Sequence, residues 1–556
     1  MAIDAHDLEV DRSEHSSIDT HETRKMTPAP AKGTPNERTP LITTSAVPET
    51  GQDPLLAEHQ HSWQYIVLLL VSILVLAQCG DRLTNSPIAR IKEAIICYDY
   101  YEKADPSKLL VGREAIGPGA IGGVAEKLCK VDEVQSELAS LNGYQDFLDG
   151  VPSLLFALPY GWAADKYGRK PILIMGVTAF VWKLVSVEVI LWLWQAFDVR
   201  WTWVSAAAGV FAGCSPVVSA LFFTVIADVT PQAERAGVFL RVGAANILPD
   251  LSMPLVSAWL MTYNPWIPNV IGVIVLCSSL VVALMVPETL NLRHPHGTPS
   301  SSHPPSPSAE DLPEPPDPSS KPKIISLDYP IRWLTGVRSA SAFLWNDWRV
   351  PVLIFPFMVH MLMAMLTTLL LQYFSKRYDL TFSTATLILT IRAGLNVAVL
   401  FAGLPYATKV VTRYWRLCGQ RKDLYLSRAS FALNVLGYLM LGASPTIATT
   451  IISLVVLSGG MGAAMFVRSF LTSLVPAHHV ARLYSLIGMV DTVGAMLGSP
   501  LLFALFKRGM SLGGLGIGLP FYFLSLASLT VLVLLCVVGM RKRDRAQESA
   551  ERDEQQ

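Results

Sequence analysis

The sequence predicts an all-α polytopic membrane protein, with twelve transmembrane helices in two pseudo-symmetric six-helix bundles. Three observations carry this prediction. Of the 556 residues, 51% are hydrophobic and only 16% are charged, which is too apolar for an ordinary soluble domain. The apolar runs mostly approach or exceed the ~20 residues that a membrane helix needs. A stretch dense in Pro, Ser, Asp and Glu, residues 290–324, divides these runs into two sets.

The same composition excludes several classes of function. The formal net charge is zero, so nucleic acid binding has no electrostatic support. The seven cysteines show no C-x-x-C or Cys/His spacing, which predicts no metal site, and no cofactor motif is present. The chain begins with a polar segment, and its first apolar run is too long and too late for a cleavable signal peptide.

Residues 1–61 are polar and rich in Pro, Thr, Glu and His, so we predict a disordered N-terminus. Within it, Glu37–Ile42 reads ERTPLI and fits an acidic dileucine sorting pattern, typical of a vacuolar address. Such six-residue matches also arise by chance. A plasma-membrane location is therefore favoured, with a vacuolar membrane as the alternative.

The first predicted span, Trp63–Leu83, is followed by an external loop over residues 84–141. Ile91–Tyr101 and Cys129–Leu141 have helical spacing and predict short helices within it. Cys97 and Cys129 would face the oxidising side, and we expect a disulfide between them. Closing such a loop stabilises it by about 3–4 kcal/mol. The alternative is two unpaired loop cysteines.

The second and third spans, 142–164 and 171–195, are joined by a short basic turn, GWAADKYGRKPIL. Basic short loops stay on the cytoplasmic side, so this turn orients the chain. The turn resembles the signature between the second and third helices of the major facilitator superfamily, G-x-L-A-D-R-x-G-R-K/R-x-x-L. The matching residues are Gly161, Asp165, Gly168, Arg169, Lys170 and Leu173, while Ala163 and Lys166 depart from the pattern.

The external loop sharpens this resemblance. Its pattern is similar to that of a fungal group of the superfamily, which is itself similar to the proton-coupled folate transporter family. The positions that match are Pro87, Arg90, Glu93, Cys97, Tyr100, Tyr101, Cys129, Lys130, Gln135, Glu137, Leu141 and Gly143. The resemblance covers about residues 63–541 and implies the major facilitator fold and a transport function. It does not fix the substrate.

The remaining elements repeat the plan. Further spans are expected at 201–226, up to 262, and at 266–286, where Pro287-Glu288-Thr289 also looks like the superfamily. They complete an N-terminal bundle, 62–289. A cytoplasmic linker, 290–348, follows; its basic and aromatic end, 325–348, is either an interfacial helix or plain linker. The C-terminal bundle, 349–540, has expected spans at 350–374, 382–406, 425–441, 447–474, 483–506 and 519–540.

Positive charges fall mainly on one set of loops, including residues 409–428 and the tail, 541–556, which begins RKRDR. This bias predicts that both termini are cytoplasmic. For the inner turn, the resemblance implies a conformational gate that latches the two halves in one state and opens in the other. The residues assigned to this gate are Gly161, Asp165, Gly168, Arg169, Lys170, Asp228 and Arg235.

Ionisable residues inside the spans are expensive in hydrocarbon and usually mark ion or substrate paths. Asp81, Asp149 and Glu188 are the predicted proton-coupling residues, because each is a carboxylate in the outer part of a span. Taken alone, each could also be a boundary residue or a satisfied charge.

Six further polar residues are candidates for the substrate cavity: Asp250, His360, Arg392, Asn396, Arg468 and Asp491. Arg392 lies about midway along its span with Asn396 one turn on, so it either clamps an organic anion or pairs with Asp250 or Asp491. Arg468 and Asp491 form a plausible pair across two helices. His360, a lone helical histidine, is as compatible with packing.

Taken together, the sequence predicts a monomeric secondary transporter of a small organic solute that works by alternating access. No Walker-type loop is present, so a gradient, most simply of protons, would supply the energy. No catalytic motif stands in the spans, and an enzyme is not expected. Export is favoured over uptake. The alternative is a non-transporting nutrient receptor on the same fold, against which the short C-terminal tail argues.

Overall fold

The computed structural model describes residues 54–211, 214–230, 235–288, 348–414, 419–475 and 480–538. These segments are helical throughout, and no β-strand occurs among them, as the predicted all-α class requires. Most of the predicted N-terminal tail, most of the linker and the C-terminal tail lie outside the described residues. The boundaries proposed for the two bundles therefore stay predictions.

The first bundle contains six helices: α1 Pro54–Ala104, α2 Asp132–Tyr167, α3 Arg169–Trp192, α4 Cys214–Val229, α5 Arg235–Met261 and α6 Trp266–Met285. A 3-10 segment, Val199–Phe211, precedes α4. The second bundle contains α7a Arg349–Ala364, α7b Leu366–Arg377, α8a Phe382–Ala398, α8b Leu404–Tyr414, α9 Gly419–Ala443, α10a Ile447–Gly459, α10b Ala463–Leu474, α11 Val480–Leu512 and α12 Leu519–Val537.

Within the described residues, eight helical segments are long and apolar enough to cross a bilayer, and the pair α7a–α7b makes a ninth. The other three predicted spans correspond to α2, to the 3-10 segment with α4, and to α5. α2 and α5 carry charged residues and two prolines each. Hydropathy alone therefore understates the membrane part, and twelve spans follow from the helices together with their places in the bundle.

α1 overturns the predicted loop at residues 84–141. It does not end at Leu83 but runs for 51 residues through Pro87 to Ala104. Ile91, Ile95 and Tyr98 recur at helical spacing and are all buried, so an apolar face continues beyond the apolar span. At its other end α1 begins at Pro54, so 54–61 are helical rather than disordered.

α2 likewise starts at Asp132, ten residues before the predicted span. Between α1 and α2, four short 3-10 turns cover parts of residues 106–130. We call residues 88–141 the cap, because they fold over one end of the bundle. Cys97, Tyr98, Cys129 and Leu138 are buried in a hydrophobic core that is continuous with Phe374 of the second half.

Two helix pairs bring the halves together: α2 packs on α11, and α5 packs on α8a. The contact between α2 and α11 is close because it uses glycine. A methyl group added at Gly143 would lie 3.2 Å from Phe503, and one at Gly150 would lie 2.9 Å from Met496. The Gly143 contact lies in the half of α2 nearer the cap, and the Gly150 contact lies near the middle of both helices.

Three spans of the second half are interrupted. α7a and α7b meet at 43°. α8a and α8b are joined by a π-helical turn, Val399–Gly403. α10a and α10b are separated by residues 460–462, which include two glycines. Interruptions of this kind in membrane helices commonly line binding sites, where other polar groups satisfy the freed backbone.

Candidate functional site

The first half contains a cavity of about 170 Å³ between α1, α2 and α3, which we call the charged cavity. Two of the three predicted proton-coupling residues, Asp81 and Asp149, line it. Three charged residues that were not assigned a site from the sequence lie there as well: Lys92, Asp146 and Lys183. The cavity thus contains three carboxylates and two ammonium groups.

The carboxylate of Asp149 and the ammonium group of Lys183 form the central pair, with Oδ2 and Nζ 2.7 Å apart. The Gln145 side chain donates to both carboxylate oxygens of Asp149 at 3.3 Å. Lys92 is buried and donates to Asn142 Oδ1 at 3.3 Å. Asp146 accepts a hydrogen bond from the hydroxyl of Ser499 on α11, so the cluster reaches the second half.

The third predicted proton-coupling residue, Glu188, lies apart from this cavity. It is buried between α3 and α6, where its Oε2 accepts a hydrogen bond from Asn269 Nδ2 at 3.2 Å. Its Oε1 has no hydrogen-bond partner among the described residues. The structure does not bring Glu188 together with Asp81 and Asp149.

Asp250, a predicted substrate-cavity residue, pairs instead with Arg82: Oδ1 lies 2.5 Å from Nε. Arg82 also contacts the carboxylate of Asp81 at 3.3 Å, so these ion pairs connect α5 to α1 at the edge of the charged cavity. The alternative in which Asp250 neutralises Arg392 is therefore wrong. The sequence could not separate the two partners, because helix rotation is not readable in uniformly apolar segments.

The second half contains a cavity of about 220 Å³ between α7, α8, α9 and α10, which we call the arginine cavity. His360, Arg392 and Asn396 line it, so three of the six predicted substrate-cavity residues come together. Asn434 and Tyr438 of α9 complete its polar wall. The remaining lining is mainly apolar, with Phe431, Met363 and several leucines.

Arg468 and Asp491 lie outside the arginine cavity and form the expected cross-helix pair, with Nη2 3.7 Å from Oδ2. The guanidinium also stacks over Phe357 at 5.3 Å and Tyr484 at 5.9 Å. Asp491 is thereby engaged by Arg468 rather than by Arg392, so the second alternative for Arg392 is wrong as well.

The structure describes part of the segment to which the gate is assigned. Gly168 has φ +105°, a conformation that favours glycine, and α3 begins at the next residue. Glu288 accepts backbone N–H hydrogen bonds from Arg169 at 3.1 Å and Lys170 at 3.2 Å, so its carboxylate caps this helix. Gly161 belongs to α2, whereas the side chains of Asp165, Asp228 and Arg235 lie outside what is described.

Glu288 was not assigned to the gate from the sequence, although the Pro287-Glu288-Thr289 tripeptide was a usable signal. The tripeptide does not show which residues Glu288 contacts in the folded chain. Glu288 stands 119 residues after Arg169, yet its carboxylate approaches so closely that a methyl group at Gly168 would lie 2.6 Å from Oε2.

At the cap, charged and polar side chains seal one half against the other. Glu93 is fully buried and accepts hydrogen bonds from Lys130 Nζ at 2.7 Å and from Gln135 Nε2 at 2.5 Å. Across the seam, Gln372 of α7b donates to the Gln135 carbonyl at 2.7 Å. Buried ion pairs of this kind are costly to open, because each charge would lose its partner.

Two further contacts strengthen this seal. The Glu126 carboxylate accepts the Phe382 N–H, at the first residue of α8a, at 2.8 Å. Lys376 of α7b contacts the Asp132 carboxylate at 2.5 Å. We call Glu93, Glu126, Lys130, Gln135, Gln372 and Lys376 the cap seal. No role was assigned to these residues from the sequence, because the contacts between the halves join positions that are far apart along the chain.

The predicted disulfide is present: the sulfur atoms of Cys97 and Cys129 are 2.11 Å apart. It ties α1 to the segment before α2 within the cap. No group of three or more His, Cys, Asp or Glu residues is arranged to hold a metal ion in the part of the chain that the structure describes.

Comparison with known proteins gives three findings. The family model described as Major Facilitator Superfamily matches residues 139–499. The MFS-type transporter aprT of Aspergillus flavus is 32% identical over 85% of this chain and 88% of its own, and the MFS efflux pump atnC of Emericella nidulans is 27% identical over 82% and 84%. The solved nucleoside transporter NupG, at 13% identity, superposes with a TM-score of 0.53 over 84% of this chain and 98% of its own.

Proposed function

This chain belongs to the major facilitator superfamily, and from that premise we propose that it exports a small organic solute in exchange for protons. It is a secondary transporter in the membrane and not an enzyme. Proton coupling, the direction of transport, the monomeric state and the membrane in which it works are parts of the proposal.

The observation that carries the proposal is the Asp149–Lys183 pair at the wall of the charged cavity. The Asp149 carboxylate and the Lys183 ammonium group attract each other in this pair, and in our proposal a proton that binds to Asp149 releases Lys183. The Lys183 ammonium then contacts other carboxylates of the cavity, such as Asp146 or Asp81. Proton binding thereby rearranges contacts between α1, α2 and α3.

This rearrangement bears on alternating access because the same cluster touches the other half. Asp146 accepts the Ser499 hydroxyl of α11, three residues along α2 from Asp149. α2 and α11 pack along the seam that is closed near the cap. We infer that the structure represents the state closed at the cap end, and that protonation weakens this closure.

The gate at the opposite end completes the cycle in this proposal. Arg169 lies at the start of α3, whose first N–H groups are held by Glu288. Asp165, Asp228 and Arg235 are assigned to the same gate by their positions in the family signature and the neighbouring loop. These residues latch the halves when the cap end opens. Glu188 remains a secondary candidate for a proton site.

Export is favoured because relatives that cover most of this chain are named efflux pumps. They include atnC of Emericella nidulans and ustT of Aspergillus flavus. The basic loops favour an orientation in which the cap lies outside and both termini are cytoplasmic, and a disulfide in the cap fits an oxidising compartment. A plasma-membrane location follows most simply. The nutrient receptor has no comparable support.

The test compares a host fungus with and without this gene by profiling metabolites inside and outside the cell. We expect a compound to accumulate inside when the protein is missing, which names the substrate. That compound is then added to inside-out vesicles that hold an acidic interior, where export should dissipate the pH gradient.

Two outcomes would contradict the proposal. A compound that stays in the medium of the deletion strain indicates uptake, and transport that leaves the pH gradient intact indicates another energy source. Vesicles with the Lys183→Met variant serve as the paired control, since they keep the protein but lose the central ion pair. Transport without change in that variant would remove the charged cavity from the mechanism.

A further inference from the structure

We propose that the arginine cavity binds an organic anion, and that Arg392 receives its charged group. This inference rests on the proposed function, because it names the class of solute that the transporter carries. Three features support it: the Arg392 guanidinium, which is unpaired among the described residues, the polar groups around it and the three interrupted helices that meet at the cavity.

Arg392 makes no hydrogen bond or ion pair with any described residue, although it lies inside the membrane span Phe382–Arg413. None of the described residues that line the cavity is Asp or Glu. A guanidinium in such surroundings lacks the partner that usually offsets the cost of its charge. By contrast, the charged cavity of the first half contains both signs. The arginine cavity is therefore built to receive a negative charge from outside the chain.

Further polar groups converge on the same space without partners among the described residues. The Tyr438 hydroxyl and the Asn396 amide make no hydrogen bonds there, and His360 Nδ1 is buried without one. A buried polar atom in a protein is normally paired, which singles out His360 Nδ1, whereas the Tyr438 and Asn396 groups are accessible from the cavity. Donors left free beside an arginine fit a carboxylate or similar oxyanion, which accepts several hydrogen bonds at once.

The backbone adds to this positive environment. Leu366, the first residue of α7b, and Ala463, the first of α10b, both line the cavity, so two helix amino ends lie at its wall. Helix amino ends carry partial positive charge and favour anions. The π-helical turn of α8 begins three residues after Asn396. All three interrupted spans thus border one site.

The apolar wall describes the rest of the ligand. Phe431, Met363 and Met461 line the same space, and methionine adapts to ligands of varied shape. The volume of about 220 Å³ equals about seven water molecules at roughly 30 Å³ each. It holds a small aromatic or aliphatic acid, or the acidic end of a larger one.

The test measures binding to the purified full-length protein in lipid nanodiscs by calorimetry. Three probes share one ring system: 2-naphthoate, naphthalene-2-sulfonate and the neutral 2-naphthamide. We expect at least one anion to bind about tenfold or more tightly than the amide. The free energy of a hydrogen bond to a charged group corresponds to about that ratio of affinities. Binding of the carboxylate alone would narrow the class to carboxylic acids.

Arg392→Gln should remove this preference, and Arg392→Lys should restore part of it, since lysine keeps the charge without the planar fork. The lysine variant also serves where the glutamine variant is not monodisperse. The matched control is Arg413→Gln, which removes an exposed arginine from the same span and should change nothing.

Equal binding of amide and anions, no binding of either anion, or an unchanged preference in Arg392→Gln would each overturn the proposal. Failure of the anion-site proposal can be distinguished from failure of the export proposal. Export that continues unchanged in Arg392→Gln but ends in Lys183→Met would remove the anion site and leave the exporter. Selective anion binding, together with a compound that stays in the medium of the deletion strain, would keep the anion site and remove the exporter.

Discussion

At the scale of single residues, the pairing of Asp149 with Lys183 explains why two charges can stand in an apolar bundle. Each alone would carry a large cost of desolvation, and the 2.7 Å contact offsets part of it. The pair is therefore conditional on the ionisation of Asp149. In the proposed mechanism, a proton that binds to this carboxylate frees the Lys183 ammonium group to contact other carboxylates of the cavity.

We predict that Asp149→Asn abolishes export driven by a pH gradient but preserves exchange of solute between two equal pools. The amide resembles the protonated carboxyl group and cannot release a proton, so only the coupled step is lost. Proton flux and solute exchange in vesicles measure the two separately. Asp105→Asn is the control, as Asp105 is a partly exposed carboxylate outside the spans. Full coupling in Asp149→Asn would contradict the assignment.

Gly168 gives a second prediction at this scale. Gly168→Ala should lower the free energy of unfolding by about 1–3 kcal/mol, because φ +105° strains an L side chain and the new methyl group would collide with Glu288. Denaturation of the purified protein measures the change. Gly243→Ala is the matched control, since a methyl group there meets nothing within 4 Å.

Some site residues could be predicted from the sequence and others could not. Asp81, Asp149 and Arg392 stand out because charges are rare in apolar spans. Lys92 was hidden by its assignment to a loop, and Asp146 by its ordinary appearance at a helix boundary. The partner of Arg392 could not be predicted, because pairing depends on helix rotation and the structure gives both proposed carboxylates to other arginines.

At the scale of elements, the apolar spans were predictable and the helix ends were not. Hydropathy indicates which residues lie in the lipid, whereas a helix continues as long as other parts of the protein pack against one of its faces. Past Leu83, the buried face of α1 is covered by the cap and by the second half. The same reason extends α2 back to Asp132.

The disulfide gives the prediction at this scale. Replacing Cys97 and Cys129 together by serine should lower the free energy of unfolding by about 3–4 kcal/mol, because the closed loop no longer restricts the unfolded chain. Chemical denaturation with and without a reductant measures it. Cys536→Ser, at an exposed free cysteine, is the control. Equal stability of the double variant and the parent would show that the cap is held by packing alone.

At the scale of the whole molecule, the two halves meet at the cap, and the proposed alternating-access cycle requires them to part there. The cap seal supplies hydrogen bonds and ion pairs, while the glycines of α2 supply close packing. The division into halves was predictable from the polar linker. Their docking was not, since Gln372 and Gln135 are 237 residues apart in sequence.

We predict that Glu126→Gln opens the cap end more often. Its carboxylate pairs with Arg90 at 3.2 Å and accepts the first N–H of α8a, and the neutral amide weakens both contacts. The readout is the rate at which a membrane-impermeant maleimide labels Thr368→Cys at the charged cavity, with free cysteines removed. Glu114→Gln is the control, on the exposed surface of the cap.

A rise in the labelling rate for Glu126→Gln but not for Glu114→Gln is the expected pattern. Equal rates in all three proteins would mean that the cap seal does not control access. The comparison needs no knowledge of the transported solute.

The separation in sequence between the cap and its partners also sets an order of events during synthesis. Cys129 follows Cys97 by 32 residues, whereas Lys376 comes 246 residues after the carbonyl group that it contacts. At roughly 5–20 residues per second, the ribosome takes about 12–50 s to cover that distance. The cap, with its disulfide formed, can therefore be complete before α7 is translated. The second half is then assembled against a finished surface, so errors in the cap would propagate into it.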